Sequence, residues 1–186
     1  EYRDADVVLF GAPFDSTTSF RPGARFGCKA VRAESFGLET YSPYLDKDLT
    51  ELSVFDSGDL ELCFGDTRMA LDQIGERTET ILSDGKIPFM IGGEHLVTLG
   101  AVEKVCARYP DLHLIHFDAH TDLREEYLGT PLSHAAVIRR CHDLLGDGRI
   151  YQFGIRSGEK EEFEFGRRHT GLTKFNLDGL AETAAA

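Results

Sequence analysis

Two short stretches hold the residue types that could do chemistry: Ile91-Gly92-Gly93-Glu94-His95, and His116-Phe117-Asp118-Ala119-His120-Thr121-Asp122. In the second, Asp, His and Asp alternate, so an extended backbone directs all three side chains to one side. Two carboxylates and an imidazole crowded together repel and solvate poorly unless a cation sits among them, and metal binding resolves that conflict. The paired glycines before His95 let backbone pass close to the same point. By itself a histidine after Gly-Gly reads as a turn residue; with both motifs at strand ends, the joint reading is a metal site. Imidazole and carboxylate without thiolate suit Mn²⁺ or Zn²⁺. If Asp118 bridges two ions, His95 and Asp122 complete one site while His120 serves the other, and a water shared by the ions is acidified enough to give hydroxide near neutral pH. Spacing leaves open whether one ion or two is held, and these four side chains are too few donors for two. His113 and His116 fall inside the strand and read as core or supporting groups. His142 and His169 have no motif around them and read as surface residues.

The elements that must position these groups are short apolar runs alternating with helical patterns. Residues 6–11, 52–56, 87–92, 112–118 and 149–154 read as buried strands, each mostly apolar and ending in Gly or Asp. Residues 68–83, 98–108 and 135–145 carry apolar side chains at three- and four-residue spacing, as amphipathic helices do. Such alternation predicts an α/β fold with a mostly parallel sheet covered by helices. Ligands bind such sheets beyond the carboxyl ends of the strands, where both motifs fall. Residues 12–25 (APFDSTTSFRPGAR) are loop-like, either a plain connection or a loop laid over a site.

The 186 residues suit a single domain, 1–186, burying roughly 70% of the unfolded chain's surface. With 41% hydrophobic and 28% charged residues, the chain is neither a disordered tail nor a membrane protein. No apolar run approaches the ~20 residues that a membrane span requires. A formal net charge of −12 argues against nucleic acid, whose phosphates call for lysine and arginine, and favours a small cationic substrate. The four cysteines form no C-x-x-C pair, which predicts reduced thiols in a cytosolic protein.

At the two motifs, and at Ser133-His134-Ala135, the sequence resembles the ureohydrolase family (arginase, agmatinase and relatives), in family order and over the chain from Phe10-Gly11-Ala12-Pro13 onward. The resemblance implies a three-layer α/β/α fold and two manganese ions, with His95, Asp118 and Asp122 on one and Asp118 and His120 on the other. It implies that His134 passes a proton to the leaving amine. Residues 16–26, Asp56-Ser57-Gly58-Asp59 and Thr121 look more like agmatinase than arginase, although guanidinobutyrase and related enzymes look similar. The implied reaction is agmatine to putrescine and urea, by a manganese-activated hydroxide. A cytoplasmic homo-oligomer, trimer or hexamer, is implied as well.

One departure is large. The family's later strand with an Asp-x-Asp pair, and a still later glutamate near the guanidinium, have no counterpart here. Asp178 and Glu182 read as a helix start, with Asp178 as cap or first-turn acid. The chain opens at Glu1 without methionine and closes in three alanines, so the expectation is the N-terminal portion of such an enzyme, its C-terminal strands missing. The rival readings are a non-catalytic metal-binding or assembly module of the same fold, another ureohydrolase, and a zinc deacetylase on a similar sheet. The last requires a different Asp-x-His arrangement and a tyrosine.

Overall fold

A computed structural model describes residues 1–174 and 180–181, so the readings for Asp178 and Glu182 lie outside the described residues. The chain divides into two compact units, Glu1–Ala101 and Val102–Ala186.

The first unit opens with β1 (Val7–Ala12), continues through α1 (Gly27–Glu34), a two-by-two-residue hairpin of β2 (Tyr41–Ser42) and β3 (Lys47–Asp48), β4 (Val54–Asp59) and α2 (Thr67–Ser83), and reaches β5 (Ile87–Gly92). Its sheet has the order β4-β1-β5, all parallel. β1 is the central strand, which is why its sequence is apolar at every position rather than alternating. Val8, Phe10 and Ala12 are fully buried, and a valine or phenylalanine side chain contributes about 1.5–3 kcal/mol when removed from water. α2 starts where Asp66 accepts a hydrogen bond from the Met69 amide at 3.0 Å. Leu71, Ile74, Thr78 and Ile81, at three- and four-residue spacing, form its buried face.

The chain passes into the second unit along α3 (Val97–Arg108) and continues with β6 (Leu114–Phe117), α4 (Val137–Leu145), β7 (Ile150–Ile155), α5 (Lys160–His169) and β8 (Gly171–Lys174). Its sheet, β6-β7-β8, is also parallel and pairs His116 with Gln152 and Phe117 with Phe153. Ile150, Phe153 and Ile155 are buried along β7.

Both sheets are parallel with helical crossovers, as the alternation of apolar runs predicts. β5 has the predicted bounds, and β1, β4, β6, β7, α2, α3 and α4 overlap the predicted segments. α1, α5, β8 and the β2–β3 hairpin are additional. The start of α5 is a capping box. The Glu159 amide donates to Glu162 Oε2 at 2.8 Å, and the Glu159 carboxylate accepts from the backbone of Glu162.

Candidate active site

β6 ends at Phe117, so Asp118, His120 and Asp122 are not carried on one face of an extended strand as their alternation suggests. They lie on the turn beyond it. The Asp118 amide donates to the Phe153 carbonyl at 3.2 Å, the last rung of the ladder. The chain then folds against the segment after β7: Arg156 and Ser157 amides donate to the Ala119 carbonyl at 2.8 and 2.9 Å, and the Thr121 amide donates to the Ser157 carbonyl at 3.1 Å. Asp122 adopts a left-handed backbone with φ of 49°, a conformation that aspartate tolerates better than most residues. Its carbonyl accepts from the Ile138 and Arg139 amides at the start of α4, at 3.1 and 3.2 Å.

This folding gathers charge. The donor atoms of His116, Asp118 and Asp122 lie within 4.8 Å of one another. Asp118 stands between two imidazoles, with the buried His116 Nε2 3.4 Å from Oδ2 and the exposed His120 Nδ1 3.4 Å from Oδ1. His120 is 64% exposed at its side chain and lies outside the close group, while its backbone amide donates to Asp118 Oδ1 at 2.8 Å. His116, at the end of β6, is buried within the close group. Two carboxylates with an imidazole and no thiolate form a hard-to-intermediate donor set that fits a divalent cation such as Mn²⁺ or Zn²⁺.

The turn is held from behind by two buried side chains that carry no sequence motif. Glu162 of α5, 5% exposed, accepts from the Thr121 hydroxyl at 2.5 Å and from the Leu123 amide at 3.1 Å, gripping both neighbours of Asp122. Gln152 of β7 donates to the Thr121 carbonyl at 2.8 Å. Gly158 permits the close approach, because a Cβ there would lie 2.7 Å from Thr121 Oγ1. These pairings join residues 31 and 41 positions apart, so local pattern could not reveal them; the E-x-x-E spacing of the capping box was the one available signal.

His134 opens a short 3₁₀ turn (His134–Ala136) ahead of α4, half-buried, with its ring edge-on to Tyr127 at 5.6 Å. The Arg124 amide donates to the Ala135 carbonyl at 3.2 Å, tying this turn to the segment that follows Asp122.

In the first unit, His95 follows β5 in the Gly92-Gly93-Glu94-His95 turn and is half-buried. The Gly93 amide donates to the Ala12 carbonyl at 3.0 Å, and a Cβ at Gly93 would collide with the Phe14 backbone. Glu94, buried, accepts from the Thr17 amide at 3.2 Å, the Thr17 hydroxyl at 2.5 Å and the Leu96 amide at 2.8 Å. Asp15, buried, accepts from the Gly23 amide at 2.8 Å and pairs with Arg25. The Arg25 guanidinium holds the Asp15 carboxyl below its ordinary range. The long loop is thus fastened at both halves, and one fastening is the residue beside His95.

A second histidine group lies at the opposite end of β7. His142 Nε2 and His169 Nδ1 both sit 2.8 Å from Asp147 Oδ1, and hydrogen bonds to the two rings hold the Asp147 carboxyl below its ordinary value. His142 Nδ1 is buried with no hydrogen-bond partner among the described residues, so its proton belongs on Nε2, facing the carboxylate. These two histidines form a clamp between the ends of α4 and α5, not the bare surface positions that lack of motif suggests.

A metal-suited turn beyond a parallel strand defines a class that comparison with known proteins identifies: residues 5–186 match the Arginase family model, and the chain belongs to that family. It is 52% identical over 178 residues to an agmatinase of Bacillus subtilis, covering 95% of this chain and 61% of that protein. It is 43% identical over 169 residues to the N(1)-aminopropylagmatine ureohydrolase of Thermococcus kodakarensis, covering 90% of this chain and 57% of that protein. Among solved structures, the agmatine ureohydrolase of Thermoplasma volcanium superposes with a TM-score of 0.87 at 37% identity, covering all of this chain and 63% of that one. The chain thus spans about three fifths of the length of the curated relatives it matches.

Proposed function

We propose that the full protein hydrolyses a guanidinium group, with agmatine giving putrescine and urea. The observation that carries this reading is the close group of His116, Asp118 and Asp122 on the turn beyond β6, in a chain about half identical to an agmatinase. His95, Asp118, His120 and Asp122 would hold the two Mn²⁺ ions, and His116 would support Asp118. When bound, the metal would supply Lewis acidity that makes a water nucleophilic near neutral pH. The chain's formal net charge of −12 favours a small cationic substrate. His134, on a turn tied by backbone hydrogen bonds to the Asp122 segment, carries the proton that the departing amine requires. The 12–25 loop, fastened through Glu94 and Asp15, lines the pocket for the chain attached to the guanidinium.

A neighbouring reading concerns that attached chain. One relative is named for aminopropylagmatine, and another, at 38% identity, is the human mitochondrial guanidino acid hydrolase. Urea release by the full protein with Mn²⁺, measured in parallel on agmatine, N(1)-aminopropylagmatine and a guanidino acid, tests both levels. Highest kcat/KM on agmatine, abolished in Asp118→Ala, is the expected result; no urea from any of the three would overturn hydrolysis itself and leave a non-catalytic metal-binding module. The same reading places the enzyme in the cytoplasm as a trimer or hexamer, which light scattering on the purified protein checks. No helix among the described residues is long and apolar enough to cross a membrane.

A further inference from the structure

Gln152 lies in the middle of β7, opposite His116 in the strand register, and is fully buried. Its amide nitrogen is 2.8 Å from the Thr121 carbonyl oxygen. A carbonyl can only accept, so the NH₂ end of the side chain must face it. The amide oxygen, on the other side, has the Thr170 hydroxyl at 3.2 Å. The same nitrogen is 3.1 Å from His116 Nδ1. An amide nitrogen has protons to give and no lone pair to offer, so Nδ1 is the acceptor in this contact. The neutral His116 ring then carries its proton on Nε2, the atom that faces Asp118 Oδ2 at 3.4 Å.

We propose that Gln152 is a positioning residue: by fixing the tautomer of His116 it turns that ring's Nε2 proton, and not a lone pair, toward Asp118, so that the histidine orients the carboxylate rather than ligating metal, while its second N–H pins the turn between Asp118 and Asp122 through the Thr121 carbonyl. This rests on the reading of Asp118 and Asp122 as metal ligands, and it deepens that reading. The donor set alone would admit His116 as a ligand, since its ring belongs to the close group. Gln152 decides otherwise: a ring whose Nε2 holds a proton has no lone pair there for a cation. The aspartate gains an orienting partner, and such outer partners are worth about 10–100-fold in metal affinity.

The test uses the full chain with ¹⁵N-labelled histidine, stripped of metal, and the variants Gln152→Glu and Gln152→Leu. Glutamate keeps the shape and in its ionised form can only accept, so it draws the His116 proton to Nδ1; leucine removes both donated bonds. Long-range ¹H–¹⁵N spectra should show the wild-type His116 proton on Nε2 and its transfer to Nδ1 in Gln152→Glu. Mn²⁺ affinity, read from the EPR signal of free Mn²⁺, should fall about 10–100-fold in Gln152→Leu, which loses both donated bonds, with thermal melts on the same samples confirming the fold. A wild-type proton on Nδ1 overturns the proposal even if neither variant folds, as does a folded Gln152→Leu that binds Mn²⁺ like the wild type. Should the tautomer and the affinity loss be as expected while no form releases urea, the reaction is misassigned and the positioning role stands.

Discussion

Glu162 shows what a single buried carboxylate does for the turn it holds. Its oxygens satisfy the Thr121 hydroxyl, the Leu123 amide and the Glu159 amide, two of them flanking Asp122 and the third capping α5. Glu162→Ala strands these donors, and a buried donor left without a partner costs about 1–3 kcal/mol. We expect a loss of about 2–6 kcal/mol in urea unfolding from the two fully buried donors, the Thr121 hydroxyl and the Leu123 amide, with Glu162→Gln recovering part of it because its carbonyl oxygen still accepts. A loss under about 0.5 kcal/mol in the alanine variant, typical of surface substitutions, would show that the turn does not depend on this grip. For His134 the expectation differs in kind. It stands on its own turn, so His134→Ala should lower kcat about 10²–10⁴-fold while bound manganese, counted by mass spectrometry, stays at the wild-type level. Joint loss of metal and activity would make it a ligand. The chemistry-bearing residues were legible because Asp, His and Gly cluster within a few positions of one another. Glu162 and Gln152 were not, because their meaning arises only when strands and helices far apart in sequence meet.

The 12–25 loop gives the corresponding case for an element. Composition left it open between plain connection and binding loop, and its fixed course depends on Asp15 and Glu94, two buried carboxylates. Arg25 holds the folded Asp15 carboxyl below its usual value, so the unfolded state binds the proton more readily. Stability from this pair is therefore fully present above the unfolded carboxyl value of about 3.9 and is lost as pH falls through the lower folded one. Asp15→Asn should flatten the acid limb of the stability curve below about pH 4, and at neutral pH hydrogen exchange should quicken in 15–25. An unchanged acid limb would mean that the pair does not couple to folding. Among the other elements, β1, β5 and α2 were legible because burial on both faces, or on one helical stripe, writes itself into the apolar pattern. α1 was not, since Cys28 is its single buried residue. In α5 the capping box lies within the charged run 159–162, and only the fold shows that Glu162 is buried.

For the whole molecule the consequence is a coupling between folding and metal. Three groups at the end of β6 and on the turn beyond it, two of them acidic, lie within 4.8 Å. At an effective dielectric near 20, two like charges at that separation repel by about 3.5 kcal/mol, a cost the folded state bears until a cation relieves it. In the unfolded chain the same residues spread apart, so divalent metal binds the native state by preference. Saturation at 100 times Kd should stabilise the full chain by about 2.7 kcal/mol, and each kcal/mol raises Tm by roughly 2–4 °C in a protein of 150–250 residues. Mn²⁺ should thus raise Tm by roughly 5–11 °C at that saturation, with EDTA reversing the shift and Asp122→Asn, which halves the acidic charge of the group, diminishing it strongly. Neutralising Asp122 should also relieve the repulsion, so this variant without metal should melt no lower than the metal-free wild type, provided the turn keeps its left-handed backbone, which asparagine tolerates as well as aspartate. A metal-free Asp122→Asn that melts well below the wild type, combined with an undiminished Mn²⁺ shift, would place Asp122 in the framework of the turn and the ion elsewhere.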